Sequence, residues 1–274
     1  MPEGGKGSMD ELMICVAPHP GNLKGKMDVP NEAYRSFNEG ASIVHLHVRD
    51  EWGKQVADTA FFRKNIESIR SLCPVIIEGS TGGTTENTLE ERCVSMTVQG
   101  IEMASLNMGS VNMNGGVYKN PMSDIRFYAQ EMKSHKLKPF LFIFDLSMFH
   151  NVIRIKKEEL ISPPYVYGFI FDVPDGLPFT TKNLDIFLDQ LPKGSPWFLI
   201  RHHSKGWRDF REVLERGGHV RVGFEDSPFL ASGKKAKSNA DLVKEIAKAA
   251  KVIGRKVVGP ERARKLMGMK GKEG

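Results

Sequence analysis

Short apolar runs recur along the chain at fairly regular intervals, bounded by turn-forming residues and separated by stretches of helical periodicity. Eight can be read: 12–17 (LMICVA), 42–48 (SIVHLHV), 74–79 (PVIIEG), 102–108 (EMASLNM), 139–145 (PFLFIFD), 167–173 (YGFIFDV), 197–202 (WFLIRH) and 219–226 (HVRVGFED). Between them, DTAFFRKNIESIRSL sets Phe61, Phe62, Ile66, Ile69 and Leu72 on one helix face. NLDIFLDQL repeats the pattern with Leu184, Phe187, Leu188 and Leu191. SNADLVKEIAKAAKVIG opens on Ser238 as an N-cap and stops at Gly254. Apolar strands alternating with helices argue for βα units on a parallel sheet. Eight of them in 274 residues predict an α/β fold of the (β/α)8 TIM barrel type. The competing open, doubly wound sheet is weakened because no GxGxxG follows the first strand. No linker or repeat breaks the pattern, so residues 11–274 are expected to form a single domain. Residues 1–10 are polar and Gly-rich without the apolar core of a secretory signal, and are expected to be a disordered leader.

Composition narrows the partners. Hydrophobic residues at 40% and charged residues at 26% are ordinary for a soluble protein. No apolar run approaches the roughly 20 residues that span a bilayer, so no membrane partner is expected. A net charge of +6 reads as a Lys-rich solvated surface rather than a nucleic-acid footprint, and suits an anionic cofactor such as a nucleotide or coenzyme A. Cys15, Cys73 and Cys93 are widely spaced and form no CxxC, which argues against a disulfide framework and for a reducing cytoplasm.

In such a barrel the chemistry sits at the C-terminal ends of the strands. His45 and His47 lie two apart at the end of the second run and share a strand face. Two convergent imidazoles begin a transition-metal site; the alternative is a pair hydrogen-bonded within the core. The last run ends in Glu225 and Asp226, and barrel closure returns it near the early strands. Glu225 joining the histidines would leave open positions for substrate. Arg221 in the same run either pairs with Asp226 or binds an anionic group. At the third strand end, Ser80, Thr81, Gly82 and Gly83 form a loop whose backbone N–H groups can approach an anion. The fourth adds Ser105, Asn107 and Ser110 as neutral hydrogen-bonding groups.

Taken in order, VHLHVRD, STGG, MASLNMGSVN, VPDG and GGHVRVGFED resemble the β-keto acid cleavage enzymes, whose best-known type is the 3-keto-5-aminohexanoate cleavage enzyme. The resemblance runs from about Met13 to Leu266. It implies a (β/α)8 barrel assembled as a homotetramer, a divalent metal, normally zinc, and reaction of a small β-keto acid with acetyl-CoA to give acetoacetate and a new CoA ester. By motif it implies His45, His47 and Glu225 as metal ligands, with Asp226 as the base for the C2 proton, set up by Arg221 and Ser80. Ser105 stands where the aminohexanoate type has threonine. With Thr81, Gly82, Gly83 and Asn107 it would hydrogen-bond the substrate or an oxyanion.

Departures from the family pattern bear on the substrate. Gly21 and Asn22 stand where that type carries a glutamate for the substrate amine. The stretch RHHS puts Arg201, His202, His203 and Ser204 in place of a glycine-rich turn, and FDVPDG adds Asp172 and Asp175. A neutral or acidic β-keto acid is therefore expected in preference to an amino-bearing one. A rival class, the metal-dependent amidohydrolases, also carries HxH, but on the first strand and with further histidines at the fifth and sixth strand ends, where this chain has FD and FDV. A CoA-binding pseudoenzyme of the same fold is opposed by the complete set of His45, His47, Glu225, Arg221 and Asp226.

Overall fold

The computed structural model describes residues 10–20, 26–82, 87–202 and 210–269. Eight parallel strands close into a barrel: β1 (Ile14–Val16), β2 (Ile43–Leu46), β3 (Ile76–Gly79), β4 (Met103–Asn107), β5 (Lys138–Ile143), β6 (Val166–Phe171), β7 (Trp197–Arg201) and β8 (His219–Val222). Neighbours in the chain are neighbours in the barrel. The seam closes where Val220, Arg221 and Val222 of β8 register with Ile14, Cys15 and Val16 of β1. All eight apolar runs become barrel strands, and each strand stops at or short of the end of its run. His47, Glu225 and Asp226 therefore lie just beyond their strands, at the barrel mouth.

A helix follows each strand: α1 (Val29–Asn38), α2 (Ala60–Leu72), α3 (Leu89–Cys93), α4 (Met122–Ser134), α5 (Met148–Lys157), α6 (Thr181–Asp189), α7 (Phe210–Glu215) and α8 (Asn239–Val252), with α9 (Pro260–Leu266) after them. In α8 the expected cap is present: Ser238 and Asp241 form a reciprocal capping box, and Gly254 follows the helix at φ +80°. Phe62, Ile66 and Ile69 form the buried stripe of α2, whereas Leu72, the last helical residue, is 45% exposed. In α6, Leu184 and Phe187 are buried, while Leu191 lies past the helix end.

Aromatic rings fill the barrel beneath the mouth. Phe140 packs on Phe142 and Phe198 with centroids 4.9 and 5.0 Å away, and Phe198 packs on His219 at 5.0 Å. Gly168 makes room for this layer, since a Cβ there would lie 2.8 Å from the Phe142 ring and 3.1 Å from Ile200. His219 is a core histidine: its Nδ1 accepts a hydrogen bond from the Met13 N–H, and burial together with the Arg255 charge pushes its pKa down to about 3. The three cysteines are buried and free. Among the described residues, no helix is long and apolar enough to cross a membrane.

Asp10 departs from the expected leader, because its carbonyl accepts the Lys256 N–H at 2.8 Å. The rest of that segment, and Gly21, Asn22, Gly83, His203 and Ser204, lie outside the described residues.

Candidate active site

The last strand reaches the site through Gly223. This residue has φ +148°, and a Cβ on it would collide with the carbonyl of Ala17, so only glycine lets the chain turn this closely against the end of β1. The turn is held by hydrogen bonds from Asp226 N and Ser227 N to the Gly223 carbonyl (3.0 and 2.9 Å) and from Glu225 N to the Ala17 carbonyl (3.2 Å). Asn239, at the start of α8, braces it: its Oδ1 accepts from Phe224 N at 2.8 Å and its Nδ2 donates to the Pro18 carbonyl at 3.2 Å. Glu225 Oε1 thereby comes within 3.3 Å of His45 Nε2 and 3.5 Å of His47 Nε2. One ligand atom from each of the three residues lies within 4.8 Å of the others. The triad read from the strand ends is assembled.

A fourth member was missed in the sequence. Glu78 of β3 is wholly buried, and its Oε2 bonds His45 Nδ1. A carboxylate on Nδ1 keeps a proton there and turns Nε2 toward Glu225, the arrangement that orients a histidine whose Nε2 can give up its proton to a metal. Burial disfavours the His45 cation, but Glu78 and Glu225 outweigh it and raise the pKa to about 9. His47 is shifted the other way, since its burial is only partly opposed by Glu225. Burial would raise the Glu225 pKa, yet His45, His47 and Arg221 hold it well below the usual carboxylate range. The carboxylates of Glu78, Glu225 and Asp226 share this largely water-excluded region with the Arg221 guanidinium and the His45 ring, and Arg49 also acts on Glu225. Two imidazoles and a carboxylate are a donor set that suits a divalent transition metal.

Arg221 holds Asp226 through two hydrogen bonds, Nε to Oδ2 at 2.9 Å and Nη2 to Oδ1 at 2.5 Å, and reaches Glu225 Oε1 at 3.2 Å. Asp226 is 4% exposed and stands behind the cleft lining. His202, whose Nε2 is 3.6 Å from Asp226 Oδ1, faces the cleft. Ser80 lines the cleft and accepts the Gly82 N–H at 2.9 Å. A Cβ on Gly82 would press on Ser80 Oγ and on the His47 ring, which accounts for glycine there. Ser105 and Asn107 also line the cleft. Thr81 corrects its expectation as a substrate-binding residue. It is fully buried, off the cleft, and bonds β4 through its N–H to Ser105 Oγ (2.9 Å) and its hydroxyl to the Ser105 carbonyl (2.7 Å).

The cleft is open to solvent and amounts to about 600 Å³ with its mouth included. Beyond the polar groups it is walled by Met113, Phe142, Phe144, Ile170 and Val173. The extra charges read from the sequence are engaged elsewhere. Arg201 Nε donates to Asp172 Oδ2 at 2.6 Å, and Asp172 Oδ1 accepts from Phe179 N. Asp175 is exposed and accepts from Gly115 N at 2.7 Å, tying down a hairpin (Val111–Met113 with Gly116–Tyr118) that follows β4.

Comparison with known proteins agrees with this geometry. A family model described as beta-keto acid cleavage enzyme matches residues 27–269. The chain is 34% identical over 245 residues to a 3-keto-5-aminohexanoate cleavage enzyme of Fusobacterium nucleatum, covering 89% of each chain. It is 32% identical to a 3-oxoadipate:acetyl-CoA acetyltransferase of Cupriavidus necator, covering 95% of this chain and 96% of that one. A solved binary complex of ObcA with oxaloacetate superposes with a TM-score of 0.70 at 15% identity, covering 89% of this chain and 66% of that longer chain, a likeness of fold. With the barrel, the convergent site and a match over most of its length, the chain belongs to the beta-keto acid cleavage enzyme family and is an enzyme of the acyltransferase type.

Proposed function

We propose that the protein condenses a β-keto acid with acetyl-CoA to give acetoacetate and a new acyl-CoA, with His45, His47 and Glu225 holding a divalent ion, zinc in the first place. The observation that carries this reading is the convergence of two Nε2 atoms and one carboxylate oxygen at the mouth of a barrel of this family. A bound divalent ion supplies Lewis acidity toward the 3-oxo and carboxylate oxygens of such a substrate.

The chain's own groups supply the rest. Glu78 fixes the His45 tautomer. Asp226, held by Arg221, takes the C2 proton at the cleft edge occupied by His202. The C2 carbanion attacks the thioester carbonyl of acetyl-CoA, forming a C–C bond and releasing the CoA thiolate. That thiolate attacks the original 3-oxo carbon, the C2–C3 bond breaks to leave the acyl chain on CoA, and the acetoacetate enolate takes back the proton held by Asp226 before it leaves. In this reading Ser105, which lines the cleft, steadies the oxyanions formed on the way, and Ser80, also on the cleft, helps Arg221 set up Asp226. Homotetrameric assembly, one domain over residues 11–274 and a reducing cytoplasm belong to the same reading; the buried free cysteines are compatible with the last. A hydrolase of the amidohydrolase type is not favoured, because the HxH pair stands at the second barrel strand and neither β5 nor β6 ends in a histidine.

The test is acetoacetate formation from β-keto acids and acetyl-CoA by the zinc-loaded protein. Asp226→Asn is expected to keep its zinc and lose roughly two to four orders of magnitude in turnover. Near-normal turnover in that variant would move the base to His202, and absence of acetoacetate from the wild type would overturn the reading.

A further inference from the structure

The reaction end of the cleft fixes where the rest of the substrate must go. With its carboxylate and 3-oxo oxygens toward His45, His47 and Glu225, beside which Phe142 packs under Arg221, the remaining chain would run along Met113, Phe144, Ile170 and Val173. All but Met113 are at least nine-tenths buried. Phe142 is seated by the gap at Gly168 and by its contact with Phe140. The polar residues among its neighbours already have partners. Asn107 Nδ2 donates to the Tyr118 hydroxyl at 3.1 Å, that hydroxyl also accepts from Arg92, and Gln55 donates to the Gly82 carbonyl at 2.6 Å. The charges that could have met a charged substrate tail, Arg201 and Asp172, neutralise each other. His202, also on the cleft, faces Asp226 at 3.6 Å. Among the described residues, this wall therefore offers no counter-ion not already engaged, and a charge placed against it unpaired is strongly disfavoured.

We infer that the substrate is a β-keto acid with an uncharged, apolar distal chain, and that Phe144, Ile170 and Val173 determine this preference. The inference rests on the proposed reaction and narrows it, setting aside acidic as well as amino-bearing substrates.

A matched six-carbon panel tests it: 3-oxohexanoate, 3-oxoadipate and 3-keto-5-aminohexanoate, each with saturating acetyl-CoA and acetoacetate as the readout. The wild type is expected to favour 3-oxohexanoate in kcat/KM by about a hundredfold over either charged compound. Equal or better use of a charged compound overturns this inference and leaves the proposed reaction standing. Acetoacetate from none of them overturns both. In a Val173→Lys protein that folds by circular dichroism and keeps its zinc, the ratio of 3-oxoadipate to 3-oxohexanoate should rise by at least about tenfold. An unchanged ratio overturns the role given to Val173. If that variant does not fold, the wild-type panel decides alone.

Discussion

His45 is gripped from both sides, by Glu78 at Nδ1 and by Glu225 facing Nε2, so two different substitutions should separate ligation from orientation. Glu225→Ala removes a ligand, and the purified protein is expected to lose its zinc on dialysis. Glu78→Gln leaves all three ligands and weakens the partner that orients one of them. Its zinc affinity should fall roughly 10- to 100-fold, read by competition with a chromophoric chelator. A full zinc complement in Glu225→Ala, or unaltered affinity in Glu78→Gln, would refute the corresponding assignment. Their legibility in the sequence differed for a physical reason. His45 and His47 announce themselves by period-two spacing at a strand end, and Glu225 by barrel closure. Glu78 sits inside an apolar run with a register not yet known, although its spacing of two from Ser80 already put both on one face. Arg201 and Asp172 misled because β6 and β7 pair Phe171 with Arg201, which brings the next residue, Asp172, within reach of the guanidinium.

At the level of elements, the strand end after β8 matters more than the strand. Gly223→Ala is expected to cost roughly 2–4 kcal/mol in urea unfolding, because the backbone of Ala17 leaves no space for a Cβ. It should also lower zinc content, although Gly223 touches no metal. Ser238→Ala, which removes one half of the α8 capping box, is expected to cost about 1 kcal/mol and leave zinc content unchanged. Similar zinc loss in both variants would show that the turn has no special part in placing Glu225. The eight strands and the α8 cap were readable because periodicity and capping chemistry are local. The hairpin after β4 was readable too, and overlooked: Asn114 and Gly115 at φ +54° and +73° are the Asn-Gly turn that favours a two-residue hairpin loop. It brings Met113 and Tyr118 to the cleft. Which loop residues line that cleft, as Ser80 does and Thr81 does not, depends on contacts between strands that local patterns do not encode.

Across the whole molecule, the proposed metal site spans the barrel's seam, with His45 and His47 from an early strand and Glu225 from beyond the last. An ion bound there stabilises the closed barrel by mass action, by about 2.7 kcal/mol when free metal is 100 times the Kd. Stripping the protein with a chelator is accordingly expected to lower Tm by roughly 5–10 °C, with recovery on adding zinc. An identical Tm for stripped and reloaded protein would contradict a site built across the seam. The turn at Gly223 also sets an order of events during synthesis. Both histidines leave the ribosome long before Glu225, and the carboxylate meets them only after β8 has docked beside β1. A nascent or truncated chain ending before Gly223 carries two of the three ligands and no high-affinity site. If the three residues hold an ion as proposed, only chains that have completed the barrel can take it up.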